Sequence, residues 1–262
     1  MRARYQGRNV EVREEGSGAP LVLVHGYPLD GDMWIPVSRA LAGRFRVLRP
    51  DLPSRRDTPH PPSPTIGEYA TWIVAVAEAC GSPCGVAGFS LGGYVVLELL
   101  KRKPAFVAAA AFVDTRADPD DEKARAARNS AIFTAREMGP TAVSDGMIPK
   151  LLSPAALRNR SLVNAVRAMT RRQNPNSLEN DLLAMQNRPG SSEFLAEIGI
   201  PCLVVRGSLD SITPESAAEL MASRIPGARR VTIEGAGHLT PMEKPAEVAA
   251  AIGDFFQQTL KQ

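Results

Sequence analysis

The chain has 262 residues, 44% hydrophobic and 5% aromatic, and its 31 Lys and Arg against 28 Asp and Glu leave a net charge of +3. That length suits one α/β domain or a domain carrying an insertion. The near balance of charge gives no footprint for nucleic acid, and no apolar run is long enough to span a bilayer.

Residues 3–6 and 10–14 are strand candidates, joined by Gly7-Arg8-Asn9 as a hairpin turn. Leu21-Val22-Leu23-Val24 is a continuous apolar run, the pattern of a strand buried on both faces. Further strand candidates cover 45–48, 84–89, 106–113, 202–205 and 230–233. Helical periodicity covers 34–41, 66–79, 91–100, 215–223 and 246–259. This alternation predicts a mostly parallel, eight-stranded sheet flanked by helices. Residues 115–195 break it. They hold no convincing buried strand, and helical patterns run over 122–137, 140–151, 154–172 and 177–187, punctuated by prolines. The expected division is a core of 1–114 and 196–262, with 115–195 as a helical insertion over the sheet's C-terminal edge.

Other features suggest less. Cys80, Cys84 and Cys202 are too few and wrongly spaced for a disulfide framework or a zinc site, and are expected to be small buried hydrophobes. No metal site is expected, because the three histidines are scattered. Arg55-Arg56 and Arg171-Arg172 read as solvated surface pairs. The N-terminus lacks the apolar core of a signal peptide, which makes the cytoplasm the default expectation. The oligomeric state is not readable.

The chemistry centres on Gly88-Phe89-Ser90-Leu91-Gly92, with Gly93 following. A serine between a strand and a helix is forced onto a sharp turn. Small residues two places either side let the chain make it. The turn exposes the Ser90 hydroxyl and aims the Leu91 N–H where an oxyanion could sit. A hydroxyl needs a base to take its proton, and the base needs an acid to hold its tautomer. His238, in Gly235-Ala236-Gly237-His238 after a predicted strand, is the candidate base. Asp210, in Gly207-Ser208-Leu209-Asp210, is the candidate acid, and Asp114 is the second choice. The Tyr27 N–H in His25-Gly26-Tyr27-Pro28 is the second candidate oxyanion donor, which leaves His25 to brace the loop.

Taken in order, these pieces make the chain resemble an α/β-hydrolase of the capped, single-domain esterase and lactonase kind. The resemblance is to 3-oxoadipate enol-lactone hydrolases and small bacterial carboxylesterases, and similar motifs occur in cofactor-free haloperoxidases. It implies a Ser90-His238-Asp210 triad, an acyl-enzyme intermediate, no cofactor, and a small-molecule ester or lactone as the partner. A perhydrolase or haloperoxidase-like activity on the same triad is one alternative. A low-turnover ligand receptor is another. The chain departs from the family in one place. Many relatives have Arg-Gly-x-Gly-x-Ser where this chain has Pro53-Ser54-Arg55-Arg56-Asp57, and losing those glycines is expected to change the backbone at the site's rim. The pocket is expected to draw on Trp34, Ile212 and Leu239 beside the motifs, and on Met147, Met169 and Met185 from the insertion. Few charges adjoin the motifs, favouring an uncharged or modestly polar ester, unless Arg128, Arg136 or Arg167 reaches in to hold a carboxylate.

Overall fold

A computed structural model describes residues 1–81 and 83–260. The last two residues of the expected 196–262 core segment, and Ser82, lie outside them. The strands are β1 (Arg2–Tyr5), β2 (Arg8–Glu11), β3 (Arg13–Glu15), β4 (Pro20–Val24), β5 (Arg46–Arg49), β6 (Cys84–Phe89), β7 (Val107–Val113), β8 (Cys202–Gly207) and β9 (Arg229–Ile233). Among the described residues, β3-β5-β4-β6-β7-β8-β9 form a seven-stranded sheet, and β1-β2 form a separate antiparallel pair. Only β3 runs antiparallel within the large sheet.

The expected eight-stranded sheet is therefore corrected to seven strands plus a hairpin. The single predicted strand over 10–14 divides at Val12, whose N–H donates to the Met1 carbonyl at 2.8 Å. The chain then re-aims, and residues 13–15 pair with β5. Expected and observed positions otherwise agree closely.

The helices are α1 (Ile35–Leu41), α2 (Ile66–Cys80), α3 (Leu91–Arg102), α4 (Glu122–Phe133), α5 (Gly139–Leu151), α6 (Arg160–Arg171), α7 (Pro175–Gln186), α8 (Glu215–Arg224), α9 (Thr240–Glu243) and α10 (Pro245–Thr259). Helix α2 starts on Thr65, whose hydroxyl accepts the Glu68 N–H at 3.2 Å, and stops on Gly81 at φ +77°. Four helices, α4 to α7, fill the stretch between β7 and β8, where no strand is found. A π-type turn at Thr134–Met138 ends the helical run expected over 122–137.

Period-2 alternation splits the core between two faces. On β4, Val22 and Val24 point to the side packed by α2 and α3, while Leu21 and Leu23 point to the side packed by α1 and α10. On β6, Val86 takes the first side and Phe89 the second. From β4 the chain goes outward to β5 and then returns to β6 on β4's other side. The crevice between β4 and β6 is therefore a topological switch point, where such sheets bind ligands. Tyr27 follows β4 and Ser90 follows β6. The three cysteines are buried and free, and burial pushes the Cys84 thiol up to about 12.

Candidate active site

Ser90 occupies the strained turn that its motif implies. Its φ is +50° and its ψ −112°, a conformation that non-glycine residues adopt at a cost of about 1–3 kcal/mol and that the surroundings must hold. The Ser90 N–H donates to the Val113 carbonyl at 2.9 Å, and its carbonyl accepts the Thr115 hydroxyl at 2.8 Å. The flanking glycines are there for close approach. A Cβ on Gly88 would lie 2.4 Å from the Gly92 carbonyl oxygen, and one on Gly92 would lie 2.4 Å from that of Val24.

His238 Nε2 lies 3.0 Å from Ser90 Oγ, and its Nδ1 lies 2.9 Å from Asp210 Oδ2. The Phe89 ring packs on the imidazole with centroids 5.1 Å apart. The glycine-rich loop carrying His238 is tied at both ends. The Gly237 N–H donates to Glu243 Oε1 at 3.0 Å, and the Leu239 N–H donates to the Leu151 carbonyl at 2.9 Å. Asp210 Oδ1 accepts the N–H groups of Ile212 at 2.8 Å and Thr213 at 3.0 Å, and Oδ2 also takes the Thr213 hydroxyl. Burial pushes the Asp210 carboxyl up. The charge and hydrogen bond of His238 and the bonds from Thr213 outweigh that and hold it below the usual range.

Asp114 takes a different position. It is fully enclosed, at φ +46°, with Oδ1 accepting the Gly207 N–H at 2.8 Å and Oδ2 the Thr240 hydroxyl at 2.5 Å. Burial, and then the charge of Asp210, drive its pKa well up. Through Thr240 it steadies the loop behind His238, and it makes no hydrogen bond to the imidazole among the described residues.

The loop after β4 supplies the other wall. His25 is buried. Its Nε2 accepts the Leu52 N–H at 2.9 Å, and Nδ1 lies 3.2 Å from the Gly26 carbonyl. Burial and the Arg55 charge lower its pKa to about 3, so it is a neutral brace. Among the described residues, the N–H groups of Tyr27 and Leu91 have no hydrogen-bond partner. Two unspent donors thus flank the Ser90 turn, as an oxyanion site requires.

A cavity of about 380 Å³ lies between α4 and α5. Tyr27 and Met147 line it, with Ala131, Ser130, Thr134 and Lys150 among the other walls. The remaining expected pocket residues are elsewhere. Trp34, Met169, Met185 and Leu239 are core side chains, at most 5% exposed, and Ile212 is a half-buried side chain packed beside the core. Periodicity and adjacency showed that these residues pack, but not against what. The three arginines offered as holders of a carboxylate are engaged. Arg128 Nε donates to Asp120 at 2.7 Å, Arg136 Nε to Glu179 at 2.6 Å, and Arg167 lies 3.5 Å from Asp145. The cavity's lining cation is Lys150, which the sequence reading missed. Among the described residues, no group of three or more His, Cys, Asp or Glu is placed to hold a metal.

The rim loop corrects one expectation. Ser54 and Arg56 stand at the two glycine positions of the family pattern, and their φ values are +70° and +45°. The backbone is left-handed at both positions without a glycine. Arg55, between them, is not solvated: it is 1% exposed and its guanidinium clasps Asp181 of α7. Arg172, at the end of α6, is likewise bound, with Nε and Nη2 each 2.8 Å from Asp30. Arg56 and Arg171 are exposed as expected; the surface reading failed for Arg55 and Arg172 because their partner carboxylates are more than 100 residues away.

The alpha/beta hydrolase family model matches residues 21–251. A thermophilic esterase from Thermogutta terrifontis, solved with malate bound, is 31% identical over 99% of both chains, with a TM-score of 0.92. The enol-lactonase of Burkholderia xenovorans LB400 shares the fold at a TM-score of 0.89 and 22% identity, covering 98% of this chain and 100% of that one. The pimeloyl-[acyl-carrier protein] methyl ester esterase of Aeromonas hydrophila is 26% identical over 94% of this chain and 99% of its own length. The chain belongs to the alpha/beta hydrolase family.

Proposed function

We propose that this alpha/beta hydrolase is a carboxylic ester hydrolase that works through Ser90, His238 and Asp210 and an acyl-enzyme. The observation that carries the reading is the unbroken chain of contacts, Ser90 Oγ to His238 Nε2 at 3.0 Å and His238 Nδ1 to Asp210 at 2.9 Å. Its named relatives, among them an esterase at 31% identity, support the reaction class.

His238 takes the Ser90 proton as Oγ attacks the ester carbonyl. The N–H groups of Tyr27 and Leu91 receive the developing oxyanion, and each donor of this kind is worth about 2.7–4 kcal/mol in comparable sites. His238 then protonates the leaving alkoxide, and water cleaves the acyl-enzyme by the same route. Asp210, held ionised, fixes the imidazole's tautomer and stabilises its cation. Residues 115–195 act as the cap that shapes the acyl and alcohol sites. A small alcohol such as methanol is a sensible leaving group to test, given the methyl ester named for the Aeromonas relative.

The test is turnover of p-nitrophenyl and methyl esters of graded acyl length alongside simple lactones. Ser90→Ala should abolish it. A fluorophosphonate probe should label the wild type and not His238→Ala. Full ester turnover by Ser90→Ala would overturn the proposal.

A further inference from the structure

The cavity between α4 and α5 reaches the candidate site at Tyr27. One wall is Tyr27, which follows β4 beside the Ser90 turn. The last two turns of α5 also line it, and the end of that helix touches the loops that carry Asp210 and His238. The Lys150 carbonyl accepts the Ser211 hydroxyl at 3.3 Å, one residue beyond Asp210, and the next carbonyl, Leu151, accepts the Leu239 N–H at 2.9 Å, one residue beyond His238.

The lining has an uneven chemistry. Ala127, Ala131, Ala142 and Gly146 leave room for a thin apolar chain between the helices. The Ser130 and Thr134 hydroxyls spend their protons on backbone carbonyls, those of Ala126 at 3.3 Å and Ser130 at 3.0 Å. They offer lone pairs to the cavity. The lining side chains that keep protons to give are the Tyr27 phenol and the Lys150 ammonium, and only the ammonium is charged. Among the described residues Lys150 has no carboxylate partner, whereas Arg128, Arg136 and Arg167 all do.

Resting on the ester-hydrolase reading, we infer that Lys150 selects esters whose acyl chain ends in an anionic group, such as the monoesters of dicarboxylic acids. The reacting ester lies at Ser90 and Tyr27, the methylenes lie along the alanine-lined walls, and the free carboxylate meets the ammonium. A charge-assisted bond of this kind discriminates strongly against a neutral terminus of the same length.

The test compares kcat/KM for the monomethyl and dimethyl esters of the straight-chain dicarboxylic acids from succinic to suberic. At the best-fitting length the wild type should favour the monoanion. The ratio of monoanion to diester should fall about tenfold in Lys150→Gln and further in Lys150→Glu, and Lys150→Arg should retain part of it. Added salt should lower the wild-type ratio, since the ammonium is solvent-exposed. The exposed Lys123→Gln should leave the ratio where it is. A ratio unmoved by both Lys150→Gln and Lys150→Glu at every chain length would overturn the inference while leaving the ester-hydrolase reading intact. No hydrolysis of any member, with no fluorophosphonate labelling of Ser90, would instead remove that reading and this inference with it.

Discussion

Removing Asp181 should unlatch α7 from the body of the protein. Its carboxylate accepts Arg55 Nη1 at 3.1 Å, the neighbouring Nη2, and the Tyr69 hydroxyl at 2.8 Å, and neither charged side chain has any exposure. In Asp181→Leu the guanidinium keeps only the Leu29 carbonyl, at 2.8 Å from Nε. A charge left buried without its partner costs about 3–5 kcal/mol, because water cannot reach it. For a chain of this length that lowers Tm by roughly 10 °C. Arg55→Met strands the carboxylate instead and should fall in the same range. The double variant, Arg55→Met with Asp181→Leu, fills the space with apolar atoms and leaves the Tyr69 hydroxyl and the Leu29 carbonyl short of a partner. It should sit within about 2–4 kcal/mol of wild type, well short of the sum of the two single variants. Chemical unfolding followed by circular dichroism gives the stabilities, and hydrogen exchange shows whether the α7 amides open first. A double variant as unstable as the sum of the two single variants would refute the latch, since the residues would then be acting independently.

Three further outcomes follow from the site. Asp210→Asn should lower kcat by about 10⁴ by spoiling the imidazole's tautomer, while Asp114→Asn, which touches the base only through Thr240, should stay within about tenfold; the reverse order in steady-state kinetics would make Asp114 the acid. His25 is neutral in the fold down to a pKa of about 3, whereas the unfolded chain's histidine takes a proton near pH 6.5. The unfolded state thus binds the extra proton between those values, so stability present above pH 6.5 is lost as pH falls, by about 2 kcal/mol at pH 5. His25→Gln should flatten that acid limb in urea titrations, and an unchanged slope would show that other groups set it. Gly92→Ala would put a Cβ 2.4 Å from the Val24 carbonyl oxygen, so it should yield unfolded or inactive protein; a well-folded, active variant would mean that the β4–α3 contact is looser than described.

What was legible in the sequence had its cause nearby in the chain. Leu21–Val24 and Cys84–Phe89 read as strands because burial on both faces writes a continuous apolar run. The Ser90 turn read as an elbow because its geometry is fixed within five residues. The helix read over 66–79 is likewise set locally, since the Thr65 hydroxyl caps it by accepting the Glu68 N–H. What was missed had its cause far away. The break at Val12 is set by Met1 and by the β5 ladder. The pairing of Arg55 with Asp181 spans 126 residues, and that of Arg172 with Asp30 spans 142. Trp34, Met169 and Leu239 carried the right pattern for packing, but a one-dimensional pattern does not say whether the neighbour is core or substrate. Lys150 was passed over because a lone lysine near a helix end is commonplace; only the cavity and the occupied arginines single it out.

The rim loop shows why motif departures need the fold before they can be interpreted. Ser54 and Arg56 stand where the family pattern has glycines, and both take left-handed backbone, at φ +70° and +45°. Something must hold that strain. Arg55 between them is anchored by Asp181 and Leu29, and Arg56 reaches Asp32 at 2.6 Å. Asp30 and Asp32, which follow the Tyr27 loop, are in turn gripped by Arg172 from the end of α6. The same ion pairs therefore tie the rim turn and the loop after Tyr27 to α6 and α7. At the other end, α5 supports the loops that carry Asp210 and His238 through the Lys150 and Leu151 carbonyls. Helices held in this way at both ends are not a separate module laid over a finished site. A substitution that reshapes α5 to admit a new acyl chain also moves the support under His238, so changes of specificity there should alter kcat together with KM. Substitutions on the α4 wall, at Ala127 or Ala131, touch neither loop and should act mainly on KM.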